Sequence, residues 1–293
     1  MATTKFKPLG EALDKLTQTL ANKKKKAPAK PKAAKPEPSK QMALDMWPDR
    51  VRGVPNAVLR GALFPISQRR TTSKKRTLIA AVEGIEIRVK GERFNQTDLD
   101  VFEMLLHLAR LQPLGDRVEF TSHSLLKELG RGVGLSQHEQ LKEEIARLQG
   151  YVEITWTKEG KTFFGGLINK GFRDETTGRY VVILDPQMIS LYEGGYTHID
   201  WEQRKALGKD SLAKWLHGFY STHASAYPMK VETLMKLCGS TTAKLADFRR
   251  DLKKSLEKVK ESGGITSWEI DKNDHVIIIR VPALSQQRHL KSK

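Results

Sequence analysis

Apolar positions along this chain fall into two successive blocks, and in each a helical spacing gives way to alternation. In the first block, Thr77 to Lys90 alternates as paired strands do, with a turn near Glu83-Gly84. Asn95-Gln96-Thr97-Asp98 then reads as a helix cap, and Leu99, Phe102, Leu105, Leu106 and Ala109 share one apolar face before Pro113-Leu114-Gly115 ends the helix. Val118 to Phe120 reads as a short strand. Ser122 caps a second helix that runs through Leu129 and stops at Gly130-Arg131-Gly132. Ser136 opens a third, with Leu141, Ile145 and Leu148 on one face and Gly150 at its end. Alternating runs follow at Tyr151–Thr157, Thr162–Ile168 and Arg179–Leu184, with a hairpin turn at Lys158-Glu159-Gly160-Lys161. Three helices and then a hairpin describe a winged helix.

The second block repeats this order. Leu212, Trp215, Leu216, Phe219 and Tyr220 line the inner face of a helix from Leu212 to Ala224, and Tyr227-Pro228 breaks the chain. Val231 to Leu237 is a second helix. Thr242 to Ser262 is a third, with Leu245, Phe248, Leu252, Leu256 and Val259 facing inward. Ile265–Ile270 and Val276–Val281 pair across the turn sequence Asp271-Lys272-Asn273-Asp274. The expected class is therefore α+β. Two winged-helix domains, 47–195 and 196–284, follow a disordered Lys/Pro-rich tail (1–46) and precede a basic C-terminal tail (285–293). Two turning helices that deliver a third, Lys/Arg-rich helix are the layout of a helix-turn-helix DNA reader.

Charge strengthens that reading. The 293 residues carry a formal charge of +17, which favours anionic partners. No run approaches the roughly 18 consecutive apolar residues of a membrane span. No apolar stretch follows Lys5 and Lys7, so no signal peptide and no membrane association are expected. Cys238 is the single cysteine, which excludes an intrachain disulfide and suits the cytoplasm. Residues 23–40 hold eight Lys, four Pro and one Glu, too little apolar surface for a core. This segment serves as a solubilising linker, a non-specific DNA tether, or both. Leu9, Leu13, Leu16 and Leu20 have helical spacing and suit a docking helix or one that forms transiently. The apolar island 41–46 is either a first docked piece of the folded domain or a linear motif for a partner pocket.

Catalytic chemistry finds no support. There is no phosphate-cradling GxxxxGK[ST] loop, and Gly130-Arg131-Gly132-Val133-Gly134 joins two helices rather than a strand to a helix. His198-Ile199-Asp200 lacks the second imidazole of a metal-binding His-x-His. His217 and His223 lie on opposite edges of one helix and read as surface or packing residues. Glu143-Glu144 reads as a solvated pair on an exposed helix side. No enzyme, cofactor or metal is expected.

The third helix of the second block is the stronger signal. Thr241, Thr242, Lys244 and Asp247 stand where a recognition helix meets base edges, and Arg249, Arg250, Lys253 and Lys254 where it runs beside phosphates. In the first block Gln137, His138, Gln140 and Lys142, after Ser136, hold the equivalent positions. That helix is less basic, and a partner-binding role competes there with DNA contact.

These residues resemble the TrfA-type replication initiators of broad-host-range plasmids over roughly Gln41 to Val281. The similarity is sharpest at Trp215-Leu216-His217-Gly218-Phe219-Tyr220-Ser221-Thr222-His223, at Tyr227 to Leu234, and at Leu237-Cys238-Gly239-Ser240. Two further blocks are Trp47-Pro48-Asp49 with Pro55-Asn56, Arg60 and Ala62-Leu63-Phe64, and Tyr196 to Trp201. The resemblance implies tandem winged helices that bind direct repeats (iterons) at a plasmid origin and open it. It also implies recruitment of the host replicative helicase with its loader, contact with the polymerase sliding clamp, and a monomer–dimer equilibrium that limits copy number in a bacterial cytoplasm. Clamp contact in the family uses a Gln-x-x-Leu-type peptide ahead of the Trp-Pro-Asp block. Gln41, Leu44 and Met46 match it, with Met where Phe is commoner. The rival expectation is a helix-turn-helix transcriptional repressor with no replication role.

Overall fold

The computed structural model describes residues 47–111 and 117–291, which belong to one compact unit with two apolar cores. The chain enters through β1 (Val51–Pro55), a short α1 (Asn56–Leu59), β2 (Thr72–Ile79) and β3 (Ile85–Glu92). The first trio of helices follows as α2 (Gln96–Ala109), then β4 (Arg117–Thr121), α3 (Ser122–Glu128) and α4 (Leu135–Arg147). Four strands come next, β5 (Tyr151–Trp156), β6 (Lys161–Gly166), β7 (Lys170–Asp174) and β8 (Arg179–Ile183). After α5 (Ile189–Glu193), β9 (Tyr196–Asp200) leads into α6 (Trp201–Ala206). The second trio comprises α7 (Ser211–Ser221), α8 (Val231–Leu237), preceded by the two-residue β10 (Met229–Lys230), and α9 (Leu245–Glu261). A hairpin of β11 (Ser267–Ile270) and β12 (His275–Ile279) and a final α10 (Leu284–Lys291) complete the described chain.

Each lobe is a helix trio backed by a hairpin, the winged-helix arrangement expected. The first is elaborated. Its β5–β6 hairpin extends into a four-stranded antiparallel sheet, β2-β3-β5-β6, and a second sheet, β4-β8-β7, closes its other side. The second lobe carries only the small sheet β10-β12-β11.

Helix α2 is the axis of the first lobe. Asn95 caps it by accepting from the amides of Thr97 (2.9 Å) and Asp98 (3.2 Å), while Asp98 accepts from the Asn95 amide at 2.8 Å. Its sequence pattern shows one apolar face, yet the helix is buried nearly all round, with Asp98, Asp100, Glu103 and His107 inside. Buried ionisable groups need partners, and here distant elements supply them. Arg70 and Arg147 hold Asp98 at 3.0 and 2.9 Å, and Trp47 donates to His107 Nδ1 at 3.1 Å.

The lobes are welded by the same helix. Arg204 of α6 donates to Asp100 at 2.8 Å and lies 2.9 Å from Glu103, and Lys214 of α7 reaches Asp100 at 2.6 Å. Burial alone would raise the Asp100 carboxyl, but Arg204, Lys214 and Arg131 hold it below its ordinary range. Glu103 is fully buried, and desolvation pushes it up to about 7 even beside Arg204. Backbone contacts add to this: Trp215 donates to Gly61 O at 3.1 Å, and Arg60 donates to Thr222 O at 2.7 Å.

Several expectations need correcting. Strand β9, expected to open the second domain, pairs antiparallel with β1 of the first, Val51 opposite Asp200 and Pro55 opposite Tyr196. Gly53 sits in that pair because a Cβ there would stand 2.7 Å from the Trp47 ring. Residues 285–291, expected to be tail, continue α10. Glu143 is exposed, but Glu144 is fully buried and takes a 2.6 Å ion pair from Arg131. The expected tail features at Leu9–Leu20, 23–40 and Gln41, Leu44 and Met46 lie outside the described residues.

Candidate nucleic-acid interface

Helix α9 presents its surface because its inner stripe is complete. Phe248, Leu252, Leu256 and Val259 are buried in the second core, so most intervening positions, Ser255 excepted, face water. The helix starts later than its sequence suggests. Gly239 adopts φ +62 and ends α8, with its amide donating to Lys236 O and the Ser240 amide to Met235 O, both at 3.1 Å. The chain then needs several residues to turn. Thr241 and Thr242 therefore lie in the connecting loop and Lys244 is the N-cap, not part of the first helical turn.

The expected phosphate contacts divide into two kinds. Arg250 is exposed and pairs with Asp247 (3.1 Å) and Asp251 (3.6 Å) along its own helix. Lys253 and Lys254 are exposed, and among the described residues no ion pair engages them. Arg249 differs. It donates from Nε to Asp274 Oδ1 at 2.8 Å and from Nη2 to Oδ2 at 2.7 Å, a two-pronged bond to the turn of the β11–β12 wing. Those hydrogen bonds raise its pKa. Farther along, Lys258 meets Asp210 at 2.9 Å, and Asp210 also caps α7 through the Ala213 amide.

The wing turn carries two outward residues that the sequence marked only as a turn. Lys272 and Asn273 are exposed at its tip, beneath which Asp271 accepts from the amides of Asn273 (2.9 Å) and His275 (2.8 Å).

The corresponding helix of the first lobe, α4, has a different surface. Its exposed positions include Leu135, Ser136, Glu139 and Glu143. The candidates on it turn inward or are paired. His138 shares a 2.8 Å bond with Ser122 Oγ, Gln140 donates to Glu144 at 2.8 Å, and Lys142 meets Glu175 at 3.4 Å. Gln137 and Gln140 line a cleft of about 950 Å³ between the lobes, with Arg131, Lys205 and Lys209 also on its walls.

The histidines serve packing. Burial pushes His217 down to about 3, and its Nε2 lies 3.2 Å from Gln203 Oε1. His223 is also held low by burial. Among the described residues no group of three or more His, Cys, Asp or Glu is placed to hold a metal ion, and no helix is long and apolar enough to cross a membrane.

A family model described as TrfA protein matches residues 11–279. The chain belongs to the TrfA family. A curated relative, the plasmid replication initiator protein TrfA of Escherichia coli, is 26% identical over 226 residues, covering 74% of this chain. The chain spans 59% of that relative's length. Among solved structures, it is similar to RctB domains 2-3 (TM-score 0.49, 15% identity, 69% of this chain and 82% of that chain). It is also similar to the Pi initiator protein in complex with iteron DNA (TM-score 0.47, 13% identity, 61% of this chain and 90% of that chain). The TrfA match runs through both helix trios and both hairpins and ends at Ile279, the last residue of β12.

Proposed function

We propose that this TrfA-family chain is a plasmid replication initiator that binds direct repeats in duplex DNA at an origin and performs no catalytic step. One observation carries the reading: α9 presents Arg250, Lys253 and Lys254 on a single exposed face beside a wing, in a family whose named relative initiates plasmid replication. At about 1.5 Å per residue the helix is about 25 Å long, and its exposed face fits a major groove about 12 Å wide. Thr241, Thr242, Lys244 and Asp247, in and just ahead of the first turn, meet base edges, and Arg250, Lys253 and Lys254 flank phosphates. Affinity then falls steeply with salt, because each neutralised phosphate releases counterions. Several copies on adjacent repeats strain the duplex and favour melting of a nearby A·T-rich segment.

The first lobe, with its less basic α4, either tracks an adjacent groove or serves self-association and helicase recruitment. Clamp capture is assigned to Gln41, Leu44 and Met46. Replacing all three with alanine abolishes capture of the sliding clamp and leaves repeat binding intact; unchanged capture rejects the assignment. The initiator reading is tested by titrating the full chain with origin DNA carrying tandem repeats and with a scrambled control across a salt series. Selective, salt-sensitive binding is the expected result. Equal affinity for both duplexes would leave only a basic coat protein.

A further inference from the structure

Asp274 is the only described non-glycine residue with a positive φ, 66°. Few residues adopt that backbone, and Asp and Asn are among those that do. The conformation lets one residue serve three elements. Its carboxylate holds Arg249 of α9 by the two-pronged bond, its carbonyl accepts from the Val231 amide at the start of α8 (3.0 Å), and its amide donates to Asp271 O (3.1 Å) across the wing turn. Helix two, helix three and the wing therefore meet at this position. The Arg249 and Asp274 side chains are 37% and 29% exposed, so the pair contributes little to stability. What it fixes is direction, since a planar guanidinium bound through two atoms sets both distance and angle.

We propose that the Arg249–Asp274 pair is a clamp that fixes the wing beside the recognition helix, making Arg249 a positioning residue and carrying Lys272 and Asn273 to the DNA backbone. This rests on the duplex-binding reading above. The neutralised Arg249 contributes no counterion release, whereas Lys272, exposed and without an ion pair among the described residues, does. The clamp and a direct phosphate contact by Arg249 predict opposite signs for one substitution. Removing the Asp274 charge frees a cation and deletes an anion, so simple electrostatics tightens binding. Loss of the clamp weakens it.

The experiment titrates the full chain with a labelled duplex bearing the origin repeats and with a scrambled duplex, from about 50 to about 200 mM salt. Asp274→Asn keeps a residue that tolerates the positive φ. It is expected to weaken repeat binding about tenfold, the scale of one lost charge-assisted contact. Arg249→Ala should weaken binding similarly and lower the salt slope by about 0.9, because unclamping withdraws Lys272 from its phosphate, and the double variant should be no worse than either single one. Lys272→Ala should reduce the slope by about 0.9 in the wild-type background and not in Asp274→Asn.

Tighter binding by Asp274→Asn, or a further slope loss of about 0.9 when Lys272→Ala is added to Arg249→Ala, overturns the clamp. So does a binding loss matched by a lower folded fraction in thermal unfolding, which would assign the pair to stability alone. If the wild type treats both duplexes alike, the initiator reading fails, yet the slopes on scrambled DNA still decide the clamp, because phosphate contacts do not depend on sequence. Absence of binding to either duplex overturns both.

Discussion

Helices α4 and α9 hold the same place in their lobes, third in a trio and followed by a hairpin, but their surfaces are opposed. Helix α9 carries six Lys/Arg against four Asp/Glu and keeps Lys253 and Lys254 outward. Helix α4 carries two Lys/Arg against three Asp/Glu and binds most of its polar groups internally. The reason lies beneath them. Under α9 is a small apolar core beside which Asp210 engages Ser255 and Lys258 of the helix and leaves Lys253 and Lys254 outward. Under α4 lies α2, whose buried acids draw on surrounding cations: Arg147 serves Asp98, while Arg131 is taken up by Glu144 of α4 itself. Topological equivalence therefore does not fix a helix's surface; the demands of the neighbouring core decide which side chains remain available for a partner.

Cutting the weld between the lobes should have the largest effect. Arg204→Ala leaves Asp100 and Glu103 buried without their shared cation and should cost about 3–5 kcal/mol in chemical unfolding. Two separated transitions would then replace one. On DNA, replacing Arg250, Lys253 and Lys254 together with alanine should lower the salt slope by about 2.7, three phosphates' worth. The matching α4 substitution, Lys142→Ala, should leave the slope unchanged; a drop of about 0.9 would show that α4 also neutralises a phosphate.

The weld also has a pH signature. Because the folded carboxyl of Glu103 titrates at about 7, above its ordinary 4.5, the folded state holds a proton that the unfolded chain has released between those values. This contribution is fully present below about 4.5 and is lost as pH rises through about 7. Unfolding measured across that window should show wild-type stability declining relative to Glu103→Gln, and parallel curves would place the proton elsewhere. A smaller effect is expected at the α7 cap, where Asp210→Ala should cost about 1 kcal/mol in thermal unfolding. Least of all, Lys236→Ala should change stability by under about 0.5 kcal/mol, since both it and its Glu232 partner are exposed.

What could be read from the sequence was what depends on near neighbours. The α9 stripe, the capped start of α2 and the turn at Asp271 to Asp274 follow from periodicity and local hydrogen bonding, and they stand where expected. The late start of α9 was missed because Thr241 and Thr242 look like caps, while Gly239 and the loop after it decide the geometry. The Arg249–Asp274 bond was not legible for another reason: the sequence position of Arg249 is that of a phosphate contact, and nothing nearby announces a carboxylate 25 positions later. The same holds for the pairing of Asp100 and Glu103 with Arg204, which lies 104 positions beyond Asp100.

The pairing of β1 with β9 bears on the order of synthesis. Val51 leaves the ribosome 149 residues before Asp200, its partner. At about 5–20 residues per second, roughly 7–30 s separate the two strands. Throughout that interval the nascent first lobe has an open edge beside Trp47 and Val54, and α6, which supplies the cation for Asp100 and Glu103, has not yet been made. The first lobe is thus translated early and completed late, sealed by the same stretch of chain that begins the second.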